Sequence, residues 1–181
     1  GSQSTLVTLT PSGGDYSGLA APTLTVTTTD NDTVGLVLSK SEALVSENGS
    51  MSDNFSVVLS SEPTANVTLT LSDNDSTEVS ASPTTLSFSS GNWSTSRVIT
   101  LTGKDDNVSD GSQTTLLTLT PSGGDYGSVS VQTLTVTTSD NDTVGLMLSK
   151  SSALVSENGS VSDNFSVVLS SQPTANVTMT L

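Results

Sequence analysis

The chain is 181 residues long and sets 18 acidic side chains against 4 basic ones, a net charge of -14, with no histidine and no cysteine. That balance excludes nucleic acid as a partner, since nothing neutralises phosphates, and it argues against anionic membranes. The missing residue types exclude disulfides and zinc sites built on thiolate or imidazole, whereas surplus carboxylates suit a hard, oxygen-seeking cation such as Ca2+.

In chain order, the first feature is a duplication. Residues 1–32 return at 111–142 with 23 of 32 positions identical, and residues 33–71 return at 143–181 with 34 of 39 identical, both at an offset of 110. The reading is a tail of one repeat at 1–32, a complete repeat at 33–142 and the start of another at 143–181. Such a window belongs to a longer array. No apolar run has the length of a bilayer span, and no signal peptide opens the chain.

Within 33–142 the apolar residues recur with period two, which predicts strands. Val34 to Ser39 opens the repeat, and Ala43-Leu-Val-Ser46 follows after a short break. Next come Phe55, Val57 and Leu59, then Val67, Leu69 and Leu71, a short piece at Val79, and Leu86 with Phe88. Ile99 with Leu101, Leu117 with Leu119, and Leu134 with Val136 complete the set. Threonine fills the alternate positions, where its β-branch suits a pleated, solvated face, and Gly, Pro, Asn and Asp separate the strands. No segment keeps a helical stripe. Seven or eight short antiparallel strands in about 110 residues predict an all-β, Ig-like β-sandwich.

Strand direction then sorts the carboxylates. Alternating up and down, the strands gather Glu47, Asp73, Asp105, Asp106 and Asp140 at the end where the next repeat begins. Like charges brought together raise one another's pKa values unless a cation neutralises them. The candidate Ca2+ ligands are Glu47, Asp105, Asp106, Asp140 and Asp142, with Asp73 and Asp75 as further contributors. Asp30 and Asp32 match Asp140 and Asp142, and Glu157 matches Glu47, but each lacks partners from the rest of its repeat, so one complete cluster is expected, at the 142/143 junction. The competing reading is that Asn and Asp only make turns; turn chemistry does not call for Glu47 or for the adjacent Asp105-Asp106 pair.

Taken together, Asp30-Asn-Asp-Thr-Val-Gly35, Glu47-Asn-Gly49, Asn92-Trp93, Thr102-Gly-Lys-Asp-Asp106 and Asp140-Asn-Asp142 resemble the Calx-beta-like, calcium-binding Ig-like repeats of giant bacterial surface adhesins and secreted fibrous proteins. The resemblance implies a sandwich of about seven strands with calcium near its carboxyl-terminal end, held by residues matching Glu47, Asp105, Asp106, Asp140 and Asp142. It also implies a place in an extracellular or cell-surface stalk.

An enzyme is not expected, because general base and nucleophile roles usually fall to His or Cys and the paired carboxylates sit in turns flanking a linker. Trp93 reads as a core plug or end cap, and Tyr126, after the tight Pro121-Ser-Gly-Gly124 turn, as packing against the sandwich end. The expected role is a secreted spacer stiffened by calcium between neighbouring repeats of the same chain. Two alternatives stand beside it: a filament or sheath of laterally associated copies, and a module that binds a ligand, sugar or surface through its loops or its threonine face.

Overall fold

The computed structural model describes all 181 residues. The first hairpin pairs β1 (Gln3–Thr8) with β2 (Thr23–Thr28). Nine strands follow between residues 33 and 142: β3 (Leu36–Leu38), β4 (Glu42–Ser46), β5 (Ser52–Leu59), β6 (Val67–Asp73), β7 (Val79–Ser82), β8 (Thr85–Phe88), β9 (Arg97–Gly103), β10 (Gln113–Ser122) and β11 (Gln132–Ser139). A last hairpin pairs β12 (Leu146–Leu148) with β13 (Val167–Leu169). The only helical elements are two 3-10 turns, Gly14–Tyr16 and Gly124–Ser128.

The nine strands make two sheets, a five-stranded one ordered β4-β11-β10-β6-β8 and a four-stranded one ordered β3-β5-β9-β7. Alternation decides which side chains turn inward. Phe55, Val57 and Leu59 on β5 and Ile99 and Leu101 on β9 meet Leu69, Leu117, Leu119, Leu134 and Val136 of the other sheet in one core of 18 buried residues. Each large side chain so buried contributes about 1.5–3 kcal/mol, and truncating Ile99 or Leu119 to alanine would cost about 2–5 kcal/mol. Trp93 packs against this core half-buried. Tyr126 is wholly buried at the opposite pole from Glu47, where its hydroxyl donates to Ser61 O at 2.8 Å and accepts from Ser61 N at 3.1 Å.

The strand count exceeds the expected seven or eight because both edge strands are split. The chain leaves β3 in one sheet and enters β4 in the other across Ser39-Lys40-Ser41. Lys40, paired with Asp53, pins that step, and the Asp53 carboxylate also accepts from Leu44 N at 3.2 Å. The second switch, from β7 to β8, passes through Pro83. A further difference is that β4 pairs β11 in parallel, from Glu42↔Thr135 to Ser46↔Ser139, whereas every other ladder is antiparallel. Changing sheets turns a local antiparallel sequence neighbour into a distant parallel one.

The flanking stretches show what the other strands supply. Leu24 and Val26 on β2 are 57% and 44% exposed, yet their counterparts Leu134 and Val136 on β11 are both at 0%. Phe165 is 45% exposed against 1% for Phe55. The same residues in near-identical surroundings of sequence are bare or buried according to whether the facing sheet is present. The outer face of the five-stranded sheet carries hydroxyls in register: Thr70 lies between Thr85 and Thr120, and Thr118 is opposite Thr133.

Candidate metal centre

Glu47 is placed by three local devices. The parallel β4–β11 ladder runs one residue past the strand, with Glu47 N donating to Ser139 O at 3.1 Å. The following turn is closed by the Ser46 hydroxyl, which donates to Asn48 Oδ1 at 3.0 Å and accepts from Met51 N at 2.8 Å. Gly49 takes φ 69° there, a conformation costly for any residue with a Cβ. Finally, the Ser46–Glu47 peptide presses on the end of β9 at Gly103. Glu47 so placed is 3% exposed.

The linker after β11 closes over it. Asp140 is fixed as an acceptor, from Asp142 N at 2.6 Å and from Gly111 N at 2.7 Å, and these bonds hold its pKa below the ordinary value. Asn141 N donates to Glu47 Oε2 at 3.3 Å. The Asn141 side-chain amide, oriented to satisfy both neighbours, donates to Glu47 Oε2 and to Asp105 Oδ1, each at 3.2 Å. Glu47, Asp140 and Asp142 thereby bring one carboxylate oxygen each within 4.8 Å of one another. Burial pushes the Glu47 carboxyl up, and the charges of Asp106, Asp140 and Asp110 push it further. Asp142 is raised by burial, then by Asp140, Asp105 and Asp106, and its Oδ2 is buried with no partner.

Of the remaining candidates, Asp105 and Asp106 lie at the same pole, exposed, in the loop after β9. Asp106 Oδ1 accepts from Val108 N at 2.6 Å, so it also shapes that loop. Asp75 is half-buried and accepts from Thr77 N at 3.0 Å. Asp73, exposed at the end of β6, is not among the carboxylates that close to within 4.8 Å. Asp30 and Asp32 repeat the Asp140–Asp142 turn, with Asp32 N donating to Asp30 Oδ1 at 2.9 Å, but Glu157 is exposed where Glu47 is buried.

Sequence reasoning passed over Glu78. It lies in the turn directly before β7, at this same pole, and it is only 7% exposed. Burial raises its pKa first, then Asp110, Asp75, Glu47 and Asp106, and no donor meets its carboxylate. The available signal was its place directly before the buried Val79, at the end shared with Asp75. Thr115 was also overlooked: it is fully buried with an unpartnered hydroxyl near the start of β10, in the inward register of Leu117 and Leu119.

The donor set is wholly oxygen, several-fold anionic and partly desolvated. No salt bridge reaches it: of the four cationic side chains, Lys40 and Lys150 pair with Asp53 and Asp163 elsewhere, Arg97 opens β9 at the end away from Gly103, and the Lys104 ammonium donates to Ser76 O. A hard cation accepting carboxylate and carbonyl oxygens fits this composition, and Glu47, Asp140 and Asp142 are the groups already gathered to hold one.

No family model matches the sequence, and no curated protein matches it. Among solved structures, the apo form of the Calx CBD1 domain is 17% identical, with a TM-score of 0.42 over 59% of this chain and 98% of that one. A chaperone–tip adhesion subunit complex from the Csu pili of Acinetobacter baumannii is 10% identical, with a TM-score of 0.43 over 59% of this chain and 57% of that one. Domains 4 and 5 of the S-layer protein SbsC are 18% identical, with a TM-score of 0.40 over 67% of this chain and 53% of that one. This chain thus spans little more than half of the latter two. Likenesses so partial say nothing about what it binds. No helix is long and apolar enough to cross a membrane.

Proposed function

We propose that the chain is a non-enzymatic spacer from an extracellular or cell-surface repeat protein, whose unit of 110 residues at 33–142 binds Ca2+ at its carboxyl-terminal pole. Residues 1–32 then belong to the unit before and 143–181 to the unit after. Glu47, Asp140 and Asp142 would hold the ion, joined by Asp105, Asp106 and Glu78, with Asp73 and Asp75 at the margin. The observation that carries this reading is the crowded carboxylate charge at that pole: Glu47 and Glu78 are 3% and 7% exposed and both are pushed up by burial and neighbouring charge, and Asp142 Oδ2 is buried without a partner. Carboxylates crowded together away from water are relieved by a proton or by a cation, and at neutral pH a cation is the stronger remedy.

The mechanical consequence follows from which elements contribute. Glu47 belongs to the β4 turn, Asp105 and Asp106 to the loop after β9, and Asp140 and Asp142 to the linker that leaves the sandwich. A cation shared by all three ties the exit of one unit to its body and limits bending at the next. The test is a thermal melt of the chain in calcium and in chelator. Binding at a free concentration one hundred times the Kd adds about 2.7 kcal/mol to the stability of the fold. A melt indifferent to chelation removes the proposal.

A second reading rests on the hydroxyl rows centred on Thr70 and Thr118. An exposed face of in-register hydroxyls is suited to contact with a glycan or another ordered polar surface. Threonine is also what a solvated pleat selects on its own account, so the spacer reading stands first. Replacing Thr70 and Thr118 by lysine would abolish such contact while leaving the melt in place.

A further inference from the structure

The loop that bears Asp106 and Asp110 has a second face. Its main chain is braced from within, by Asp106 Oδ1 on Val108 N, by Asp110 N donating to Val108 O at 3.1 Å, and by the Ser109 hydroxyl donating to Asp142 O at 3.2 Å. On the outside, Val108 forms a parallel bridge with Gln172, and Gln172 N donates to Asn107 O at 2.6 Å. Gln172 lies just beyond β13, within the stretch that duplicates residues 33–71. One loop therefore touches the acidic cluster on one side and the following unit on the other.

The docking segment is preformed. Ser170 N donates to Gly145 O at 3.0 Å and its hydroxyl to Thr143 O at 2.6 Å; in the complete unit Ser60 N donates to Gly35 O at 2.9 Å and its hydroxyl to Thr33 O at 2.5 Å. The segment thus keeps its shape whether or not the rest of its sandwich is present. The counterpart of Gln172 is Glu62, exposed, with no hydrogen bond from its N–H. The complete unit accordingly offers a bare donor at one pole and, at Asn107, the matching acceptor at the other, which is the geometry of a head-to-tail contact. The two positions differ in charge. A glutamate seated beside Asp105, Asp106 and Asp110 adds repulsion that a glutamine does not.

We propose that the loops at 170–173 and 60–63 are head-to-tail docking elements, each seating its main-chain N–H on the 106–110 loop of the unit before it, and that glutamine or glutamate at this position sets how far the seat depends on a bound cation. The charge-dependent part rests on the calcium reading above; the main-chain contact does not. With glutamine the joint forms with or without the ion, and with glutamate it forms only once the pole is neutralised. An array that alternates the two would have stiff joints and cation-gated joints in one chain.

Amide hydrogen exchange followed by NMR on residues 1–181 tests this, with Glu62, whose N–H makes no hydrogen bond, as the internal reference. The Gln172 amide is expected to exchange about tenfold more slowly than that of Glu62 in chelator. In Q172E the amide at position 172 should lose that protection in chelator and regain it in calcium. Equal exchange at the two positions in the unaltered chain overturns the docking contact. Undiminished protection in Q172E with chelator overturns the charge dependence. Calcium titration of the Glu47 and Asp142 resonances, read in the same samples, separates these results from a failure of metal binding itself.

Discussion

The carbonyl of Ser46 lies so close to Gly103 that a Cβ built on the glycine would stand 2.3 Å from the oxygen and 2.7 Å from the carbonyl carbon. The contact is backbone against backbone, so no flexible side chain can give way. It is also what brings the Glu47 turn down onto the end of β9, beside the loop of Asp105 and Asp106. G103A is therefore expected to lose about 1–3 kcal/mol in chemical denaturation and, independently, to weaken calcium binding measured by calorimetry.

Glu47 should show opposite signs with and without the ion. In chelator E47Q relieves a desolvated charge crowded by Asp106 and Asp140, so its melting temperature is expected to equal or exceed that of the unaltered chain. In calcium it should gain little of the stabilisation the ion confers. A full calcium response from E47Q would mean that the ion, if bound, sits elsewhere.

The pH dependence follows the same division. Glu47, Glu78 and Asp142 have raised pKa values in the folded chain, so the fold binds their protons more tightly than the unfolded chain does. Without the ion, lowering the pH through those raised values stabilises the protein. Asp53, lowered first by its hydrogen bond to Lys40, and Asp140 act the other way, and their contribution is lost as pH falls through their depressed values. Urea midpoints in chelator should rise on mild acidification and fall at lower pH. Calcium affinity should decline from the first step, because protons compete for the same oxygens.

Tyr126 tests the opposite pole. Its hydroxyl meets the N–H, the hydroxyl and the carbonyl of Ser61, all buried. Y126F keeps the ring and strips those partners, at an expected cost of about 1–3 kcal/mol, equal in calcium and in chelator. A cost that depends on calcium would show that the two poles are coupled.

Thr115 offers a gain. Its hydroxyl is buried and unpartnered, and valine has the same outline without the polar atom. T115V is expected to raise the urea midpoint in chelator, since an unmet hydroxyl costs about 1–3 kcal/mol. A loss of stability would place a donor or acceptor at Thr115 Oγ1 in solution.

Much of this architecture could be read from alternation alone. Phe55, Val57, Leu59, Leu117 and Leu119 are buried as their period-two spacing requires, and strand parity places Glu47, Asp105, Asp106 and Asp140 at one pole. Parity could not foresee the sheet switches at Lys40 and Pro83, which depend on packing between distant strands, nor the parallel pairing of β4 with β11 that they produce. Glu78 escaped because one glutamate before a four-residue strand, among serines and threonines, has no local pattern to mark it. The groups that meet its main chain, Lys104 N at 2.9 Å and the Thr138 hydroxyl at 3.4 Å from its carbonyl oxygen, are far along the sequence.

The two sheet switches also shape how such a protein meets its own kind. Each splits an outer strand into pieces of three to five residues, β3 and β4 on one side and β7 and β8 on the other. None offers the long, straight row of free amides and carbonyls on which a neighbouring molecule could zip up. A sequence this rich in β-formers, crowded at high local density, would otherwise be prone to seed amyloid. Interrupting its flanks removes that template from both sides of the sandwich.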